Sequence, residues 1–195
     1  KAAKVDFSSI ELPENRAPKL EDVETILKTD PTITMIAMVH CETTSGIFNP
    51  IDEVGQLAHK YSKTYFVDAM SSFGAVPISM QKSNIDYLVA SSNKCLEGVP
   101  GIGFVIAKKD ALNSTEGWAR SLSFDLYAQW KDQETKSEFR FTPPTQTLAA
   151  FDQAIEEFFQ EGGVIARSKR YQDNYNCLIE GMNALGFSTY LNSKD

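Results

Sequence analysis

Cysteine and histidine are scarce in this 195-residue chain, and their scarcity excludes several kinds of site. The three cysteines, Cys41, Cys95 and Cys177, are odd in number and widely spaced. That spacing argues against a disulfide framework and against a Cys-x-x-Cys metal or redox motif. His40 and His59 are the only histidines, so a His-x-x-x-His zinc site cannot be assembled. We therefore expect reduced thiols and no bound metal.

Long apolar runs, a basic surplus and internal repeats are also missing. No apolar run approaches the roughly 18 residues of a membrane span, and no stretch joins a basic start to the apolar core of a signal peptide. The net charge of -7 is spread along the chain, which disfavours a nucleic-acid partner. The expected setting is the cytoplasm, without a membrane or nucleic-acid partner.

Apolar residues, by contrast, are plentiful. Of all residues, 42% are hydrophobic and 11% aromatic, which is enough for a buried core. Short apolar runs alternate with stretches of helical periodicity, so the sequence predicts an α/β fold with a mostly parallel sheet. Strands are predicted over residues 33–39, 85–90, 101–107 and 187–191, and a further strand is predicted to end at Asp68. Helices are predicted over residues 20–28, 51–61, 109–117, from about Pro144 to 161, and 164–185.

Several details of this fold follow from the same patterns. Strand 33–39 is almost continuously apolar, so we expect it to be covered on both faces. Strand 101–107 follows the previous one too closely for an intervening helix and should pair antiparallel. Residues 120–138 are expected to be loop and short helix. Residues 5–7 resemble the tail of a strand, and a strand at 187–191 would lack a partner, so we expect the fold to be incomplete at both ends.

An acid and a lysine each follow one of the predicted strands. Asp68 comes directly after Tyr-Phe-Val, and Lys94 follows the 85–90 strand and a Ser-Ser-Asn turn. Right-handed crossovers bring the Thr43 loop and Asp68 to the same carboxyl edge of the sheet, where α/β folds bind ligands. Pyridoxal phosphate requires an amine that reacts with its aldehyde and an anion that pairs with its ring nitrogen.

Each of these residues also has a purely structural interpretation. Lysines are mostly solvated, although the apolar strand and the Gly-Val-Pro-Gly run around Lys94 predict partial burial, which favours a neutral amine. Asp68 is equally well explained as the cap of a turn. Thr43 and Thr44 are either turn hydroxyls or donors to a cofactor's ring oxygen. Gly74 is expected to supply close packing or a positive φ.

Three further residues near the motifs also have structural interpretations. His40 is better explained as a hydrogen-bonded histidine at a strand end than as a catalyst. Met70 is expected to pack, with a cofactor ring as one partner. Thr142, before Pro-Pro, is most simply a loop residue, with a phosphate contact as the alternative.

The motifs at residues 40–46, 67–74 and 92–101 closely resemble those of the class V, fold type I aminotransferases. The likeness continues through residues 120–123 and 139–145. The run around the lysine differs from that of cysteine desulfurases and alanine–glyoxylate transaminases. This resemblance implies a three-layer αβα fold, like the large domain of aspartate aminotransferase. Residues 1–160 would be part of the cofactor-binding large domain, and residues 161–195 a long helix and the start of the small domain.

The resemblance also implies roles for individual residues toward pyridoxal phosphate. Lys94 would form the Schiff base with the cofactor, and Asp68 would pair with its pyridine nitrogen. Thr43 would bond the ring oxygen, and Met70 would lie against the ring. Thr142 would reach the phosphate of the neighbouring subunit's cofactor, which implies a homodimer.

The implied activity is the transfer of an amino group between small molecules. Two alternatives stay open: a transaminase that uses glyoxylate with serine or alanine, and a cofactor-free structural fragment. In this family the main phosphate cup, the ring-stacking aromatic residue and the arginine for the substrate carboxylate come from segments that we expect to lie outside this sequence.

Overall fold

The computed structural model describes residues 5–191, and the predictions that touch residues 1–4 and 192–195 lie outside the described residues. Within that range the chain forms a four-stranded sheet and six helices. The strands are β1 Met35–Val39, β2 Thr64–Asp68, β3 Tyr87–Ser91 and β4 Gly103–Ala107. The helices are α1 Leu20–Thr29, α2 Ile51–Lys60, α3 Lys109–Asn113, α4 Leu126–Lys136, α5 Thr145–Glu161 and α6 Gly163–Ala184.

The sheet has the predicted topology. Its strand order is β1-β2-β3-β4, with β1, β2 and β3 parallel and β4 antiparallel to β3. Val39 lies opposite Asp68, and Asp68 lies opposite Val89, so the three parallel strands end at nearly the same level. The α/β fold with a mostly parallel sheet is therefore confirmed.

The hydrophobic core lies between the sheet and the helices α1 and α2. Val54, Tyr65 and Ile85 are completely buried in it. Gly55 lets α2 approach closely, because a Cβ there would lie 1.8 Å from the backbone oxygen of Ser83. The buried members of this core are Val23, Leu27, Ile51, Val54, Ala58, Tyr65, Val67, Ala69, Ile85, Leu88 and Ala90.

Three predictions about the strands were wrong. β1 is covered on one face only, because Ile36 and Met38 pack against the core whereas Met35 and Ala37, on the other face, are exposed. Residues 187–191 form no strand, since no other strand in the described part of the chain lies beside them to share hydrogen bonds. Residues 5–7 are also irregular and exposed.

The segment 120–138 is more regular than expected. α4 spans three turns and begins after Asp125, whose carboxylate accepts a hydrogen bond from the backbone N–H of Ala128 at 2.9 Å. It ends at Ser137, which adopts a left-handed φ of 56°. No helix within residues 5–191 is long and apolar enough to cross a membrane.

Candidate active site

Three loops leave the carboxyl edge of the sheet side by side. They are residues 40–50 after β1, 69–76 after β2 and 92–102 after β3. β2 lies between the other two parallel strands, so its terminal residue Asp68 occupies the middle of this edge. The topology thus brings the loops of Thr43, Asp68 and Lys94 together, as the sequence predicted.

The two serines after Met70 join the three loops. Ser71 Oγ lies 3.0 Å from Thr43 Oγ1, and the Ser71 backbone oxygen accepts a hydrogen bond from Cys95 Sγ at 3.5 Å. Ser72 Oγ lies 2.8 Å from His40 Nδ1. His40 is buried, and burial lowers its pKa, with Asp52 opposing the shift. It is the hydrogen-bonded histidine at a strand end that the sequence predicted.

Asp68 is half-buried and caps the turn that follows it. Its Oδ1 accepts a hydrogen bond from the backbone N–H of Met70 at 2.9 Å. Its backbone oxygen accepts one from the N–H of His40 at 2.8 Å, which fixes the end of β2 against the end of β1. The turn-cap interpretation is correct, and it holds the carboxylate at the sheet edge.

Lys94 is exposed, so the predicted partial burial was wrong. The next two residues, Cys95 and Leu96, fill the buried positions at 9% and 2% exposure, and the turn leaves Lys94 on the outside. The backbone N–H of Glu97 donates to the Lys94 oxygen at 2.8 Å, closing the turn. The amine therefore stands on the surface of a tightly folded loop.

Gly74 brings the loop after β2 against this turn. It has a φ of +100°, and a Cβ there would lie 2.8 Å from Leu96 Cδ2. Both predicted reasons for a glycine, close packing and positive φ, apply at this position. Because a side chain at residue 74 would displace Leu96, this glycine sets the spacing between the loops of Asp68 and Lys94.

Two of the predicted residues stand at the periphery. Met70 is 37% exposed and lies in the turn that Asp68 caps. Thr142 is exposed and lies just before α5, and no hydrogen bond within residues 5–191 joins it to the other site residues.

Ser91 is a polar residue that the sequence analysis missed. It is the last residue of β3, and its Oγ is buried without a hydrogen-bond partner in the described part of the chain. A buried hydroxyl normally has a hydrogen-bond partner, so Ser91 is a further candidate residue of the site. The prediction ended the strand at Ala90 and therefore assigned Ser91 to the turn before Lys94.

A cluster of charged residues that the sequence analysis did not single out also reaches the site. Arg167 of α6 is 3% exposed, and its Nη1 donates to the Cys95 backbone oxygen at 2.7 Å. Its Nε and Nη2 lie 2.7 and 2.6 Å from Glu161 Oε2. Hydrogen bonds from Arg170 and Arg167 lower the pKa of Glu161 to about 2. In the sequence, only the i, i+3 spacing of the two arginines pointed to this cluster, and that spacing indicates no more than a shared helix face.

The surroundings of the site define what it can bind. Neither Lys94 nor Asp68 lines the neighbouring groove of about 550 Å³, which runs between residues 73–79 and helix α5. Among residues 5–191, no three His, Cys, Asp or Glu side chains gather to hold a metal ion. The three groups suit an organic ligand: the Lys94 amine suits an aldehyde, the Asp68 carboxylate a cationic atom, and the Ser91 hydroxyl a hydrogen-bond acceptor. The carboxyl edge of a mostly parallel sheet is where α/β folds bind ligands.

Comparison with known proteins identifies the family. The whole chain, residues 1–195, matches the profile of the class-V aminotransferases, and it belongs to that family. It is 55% identical over 178 residues to a 2-aminoethylphosphonate–pyruvate transaminase of Salmonella typhimurium, a match that covers 91% of this chain and 48% of that protein. The chain spans about half the length of the curated relatives it matches.

Solved structures agree on the fold. An alanine–glyoxylate aminotransferase from Nostoc superposes with a TM-score of 0.84 at 25% identity, covering 95% of this chain and 49% of that one. A pyridoxamine–pyruvate aminotransferase from Mesorhizobium loti also gives a TM-score of 0.84, at 29% identity, covering 94% of this chain and 48% of that one.

Proposed function

We propose that this chain belongs to a pyridoxal-phosphate-dependent transaminase that moves the amino group of 2-aminoethylphosphonate to pyruvate, giving phosphonoacetaldehyde and alanine. The observation that carries the proposal is the joining of the Thr43, Asp68 and Lys94 loops at one sheet edge through Ser71 and the turn after β2. The 55% identity to transaminases of that name supports the choice of substrates.

The residues at the edge fit the cofactor. When bound, pyridoxal phosphate supplies an aldehyde that condenses with amines and a ring that accepts electrons from the neighbouring carbon. Lys94 Nζ would attach to the aldehyde and, once released, would carry a proton to and from the substrate carbon. The Asp68 carboxylate would hold a proton on the ring nitrogen. Its attachment to the turn through Met70 keeps that carboxylate in place.

The remaining residues would orient the cofactor. Thr43 would donate to the ring oxygen, and its contact with Ser71 already places it beside the middle loop. Met70 would lie against the ring, and the unpaired Ser91 hydroxyl would donate to an acceptor oxygen. Thr142 would reach the phosphate of the cofactor in a second subunit, so the proposed enzyme is a homodimer.

The domain division and the setting are part of the same proposal. Residues 1–160 would contribute to the large cofactor-binding domain, and residues 161–195 would begin the small domain. The enzyme would act in the cytoplasm on small molecules, without a nucleic-acid or membrane partner. The chain's net charge of -7 supports the absence of nucleic acid.

The test uses the full-length enzyme with Lys94→Ala and, as a control, Lys169→Ala on the exposed face of α6. The Lys94 variant should lose the visible absorbance of lysine-bound cofactor. Its turnover should fall by roughly 10²- to 10⁴-fold or more, because both the attachment point and the proton carrier are gone. The Lys169 variant should keep both properties. A Lys94→Ala enzyme that retained the visible band would show that another residue holds the cofactor.

A comparison of amino donors separates the proposal from its alternatives. The likeness to the Nostoc alanine–glyoxylate enzyme makes a glyoxylate-dependent transaminase the second candidate. Turnover of serine or alanine with glyoxylate, and none of 2-aminoethylphosphonate with pyruvate, would establish that second function. Failure of the full-length protein to develop any cofactor band would leave the cofactor-free structural role.

A further inference from the structure

A buried side chain of α6 binds the turn that carries Lys94. Arg167 donates to the backbone oxygen of Cys95, the residue directly after Lys94, across 72 residues of sequence. Its other donors hold Glu161 at the end of α5. A planar guanidinium makes these bonds together, whereas the single ammonium of a lysine does not reproduce that fork.

A second connection joins the same helix to the same turn. Glu97 closes the turn on the Lys94 backbone oxygen and has a φ of 59°, in the left-handed region that an L residue rarely adopts. Its carboxylate accepts hydrogen bonds from Arg170 Nη2 and from Tyr171 Oη, each at 2.9 Å. The unusual backbone of the turn is thus held in place from α6.

Backbone attachment matters here because Lys94 is exposed and cannot be oriented by burial. The anchors lie in the residues that follow it: Cys95 and Leu96 are buried, and the Cys95 oxygen is bound by Arg167. We propose that Arg167 is a positioning residue, which fixes the peptide after Lys94 and so holds the amine at the edge that carries Asp68. This inference rests on the proposed function, in which that amine reacts.

The competing interpretation is that Arg167 only attaches α6 to the sheet. Both interpretations predict a loss of stability when Arg167 is replaced. Only positioning predicts a change in the chemistry of Lys94, because a displacement of about 1 Å in a reacting group can cost about a hundredfold in rate.

The experiment uses the full-length enzyme and the variants Arg167→Lys and Arg167→Met. Lys169→Met is the matched control, since Lys169 lies on the same helix with 75% of its side chain exposed and pairs with Asp173. Amide exchange at Glu97 and Gly98, which bond Lys94 and Ser92 within the turn, is measured without cofactor. The pH midpoint of the visible cofactor band, kcat and KM are measured with pyridoxal phosphate bound.

We expect exchange of both amides to accelerate by at least about tenfold in Arg167→Met, and by less in Arg167→Lys. The pH midpoint should move, and kcat should fall roughly ten- to a hundredfold with KM for the amino donor nearly unchanged. Lys169→Met should match the wild type throughout. If the methionine variant fails to fold, the lysine variant carries the test, because it keeps the positive charge.

Two results would overturn this inference and leave the proposed function standing. Unchanged amide exchange would mean that Arg167 does not hold the turn. Faster exchange with an unmoved pH midpoint and unchanged kcat would mean that it attaches the helix without positioning the amine. A wild-type enzyme that develops no cofactor band would overturn the proposed function and the inference with it.

Discussion

The part of the chain up to β4 and the part after it are held together by different forces. In the first part, α1, α2 and the sheet enclose a continuous apolar core, with Val54, Tyr65 and Ile85 fully buried. After Ala107, the only buried residues in the described part of the chain are Ala154 and Arg167. The first part is stabilised by a continuous apolar core, whereas the second is attached by partly buried aromatic contacts such as Phe104–Phe151 and by the buried cation of Arg167.

The site lies where the two kinds of attachment meet. On one side, Cys95 and Leu96 anchor the Lys94 turn in the sheet and against Gly74. On the other side, Arg167 and the Glu97 contacts tie the same turn to α6. The turn is thus held on one side by buried apolar residues and on the other by charged hydrogen bonds from α6.

Replacing one isoleucine in each part should give the largest difference. Ile85 is completely buried and Ile165 is 69% exposed. Ile85→Ala should destabilise the protein by about 2–5 kcal/mol, because it leaves a cavity in the core. Ile165→Ala should change the free energy of unfolding by about 0.5 kcal/mol or less. Denaturant unfolding of the two variants measures both values. Equal costs would mean that the second part of the chain is packed as tightly as the first.

The fold was largely predictable because its signals are local. The apolar runs before Asp68 and before Lys94 located β2 and β3, and the short connection to residues 101–107 predicted the antiparallel β4. Parallel strands and right-handed crossovers then brought the three loops to one edge. Strand 187–191 failed because a strand also requires a neighbour, which its own sequence cannot supply.

The site was less predictable where it depends on contacts distant in sequence. The exposure of Lys94 follows from the burial of the two residues after it, and local composition could not reveal which of them would point inward. The bond between Arg167 and the Cys95 oxygen joins residues 72 apart. A charged helix face looks the same in sequence whether solvent or a loop covers it.

Alanine substitutions at two glycines should change stability in opposite directions, by less than the isoleucine substitutions. Gly55 of α2 lies against the Ser83 backbone, whereas nothing within 4 Å would meet a Cβ at Gly181 of α6. Gly55→Ala should cost about 1–3 kcal/mol or more, because backbone must move. Gly181→Ala should stabilise its helix by up to about 1 kcal/mol. Thermal unfolding of the two variants decides this, and a tolerated alanine at position 55 would mean that α2 packs more loosely than the structure shows.

Acid should distinguish the two parts through a matched pair of glutamates. Hydrogen bonds from Arg170 and Arg167 lower the pKa of Glu161 from 4.5 to about 2, and those from Lys60, Tyr61 and Lys28 do the same for Glu24 of α1. A carboxylate with a lowered pKa stabilises the folded state fully above about pH 4.5, and that contribution disappears as the pH falls toward about 2. The stability difference between the wild type and either glutamine variant should therefore shrink over that interval.

The consequence for local structure should differ between the two glutamates. α1 also buries Val23 and Leu27, so Glu24→Gln should leave its amide protection nearly intact at pH 7. The start of α6 depends on Arg167, so Glu161→Gln should increase amide exchange at Glu97 and along the first turns of α6. Hydrogen exchange at pH 7 and pH 3 tests this, and in Glu161→Gln the excess over the wild type should be smaller at pH 3. Equal loosening of α1 and α6 would mean that both helices depend on charge, because the apolar contacts of α1 would then contribute little.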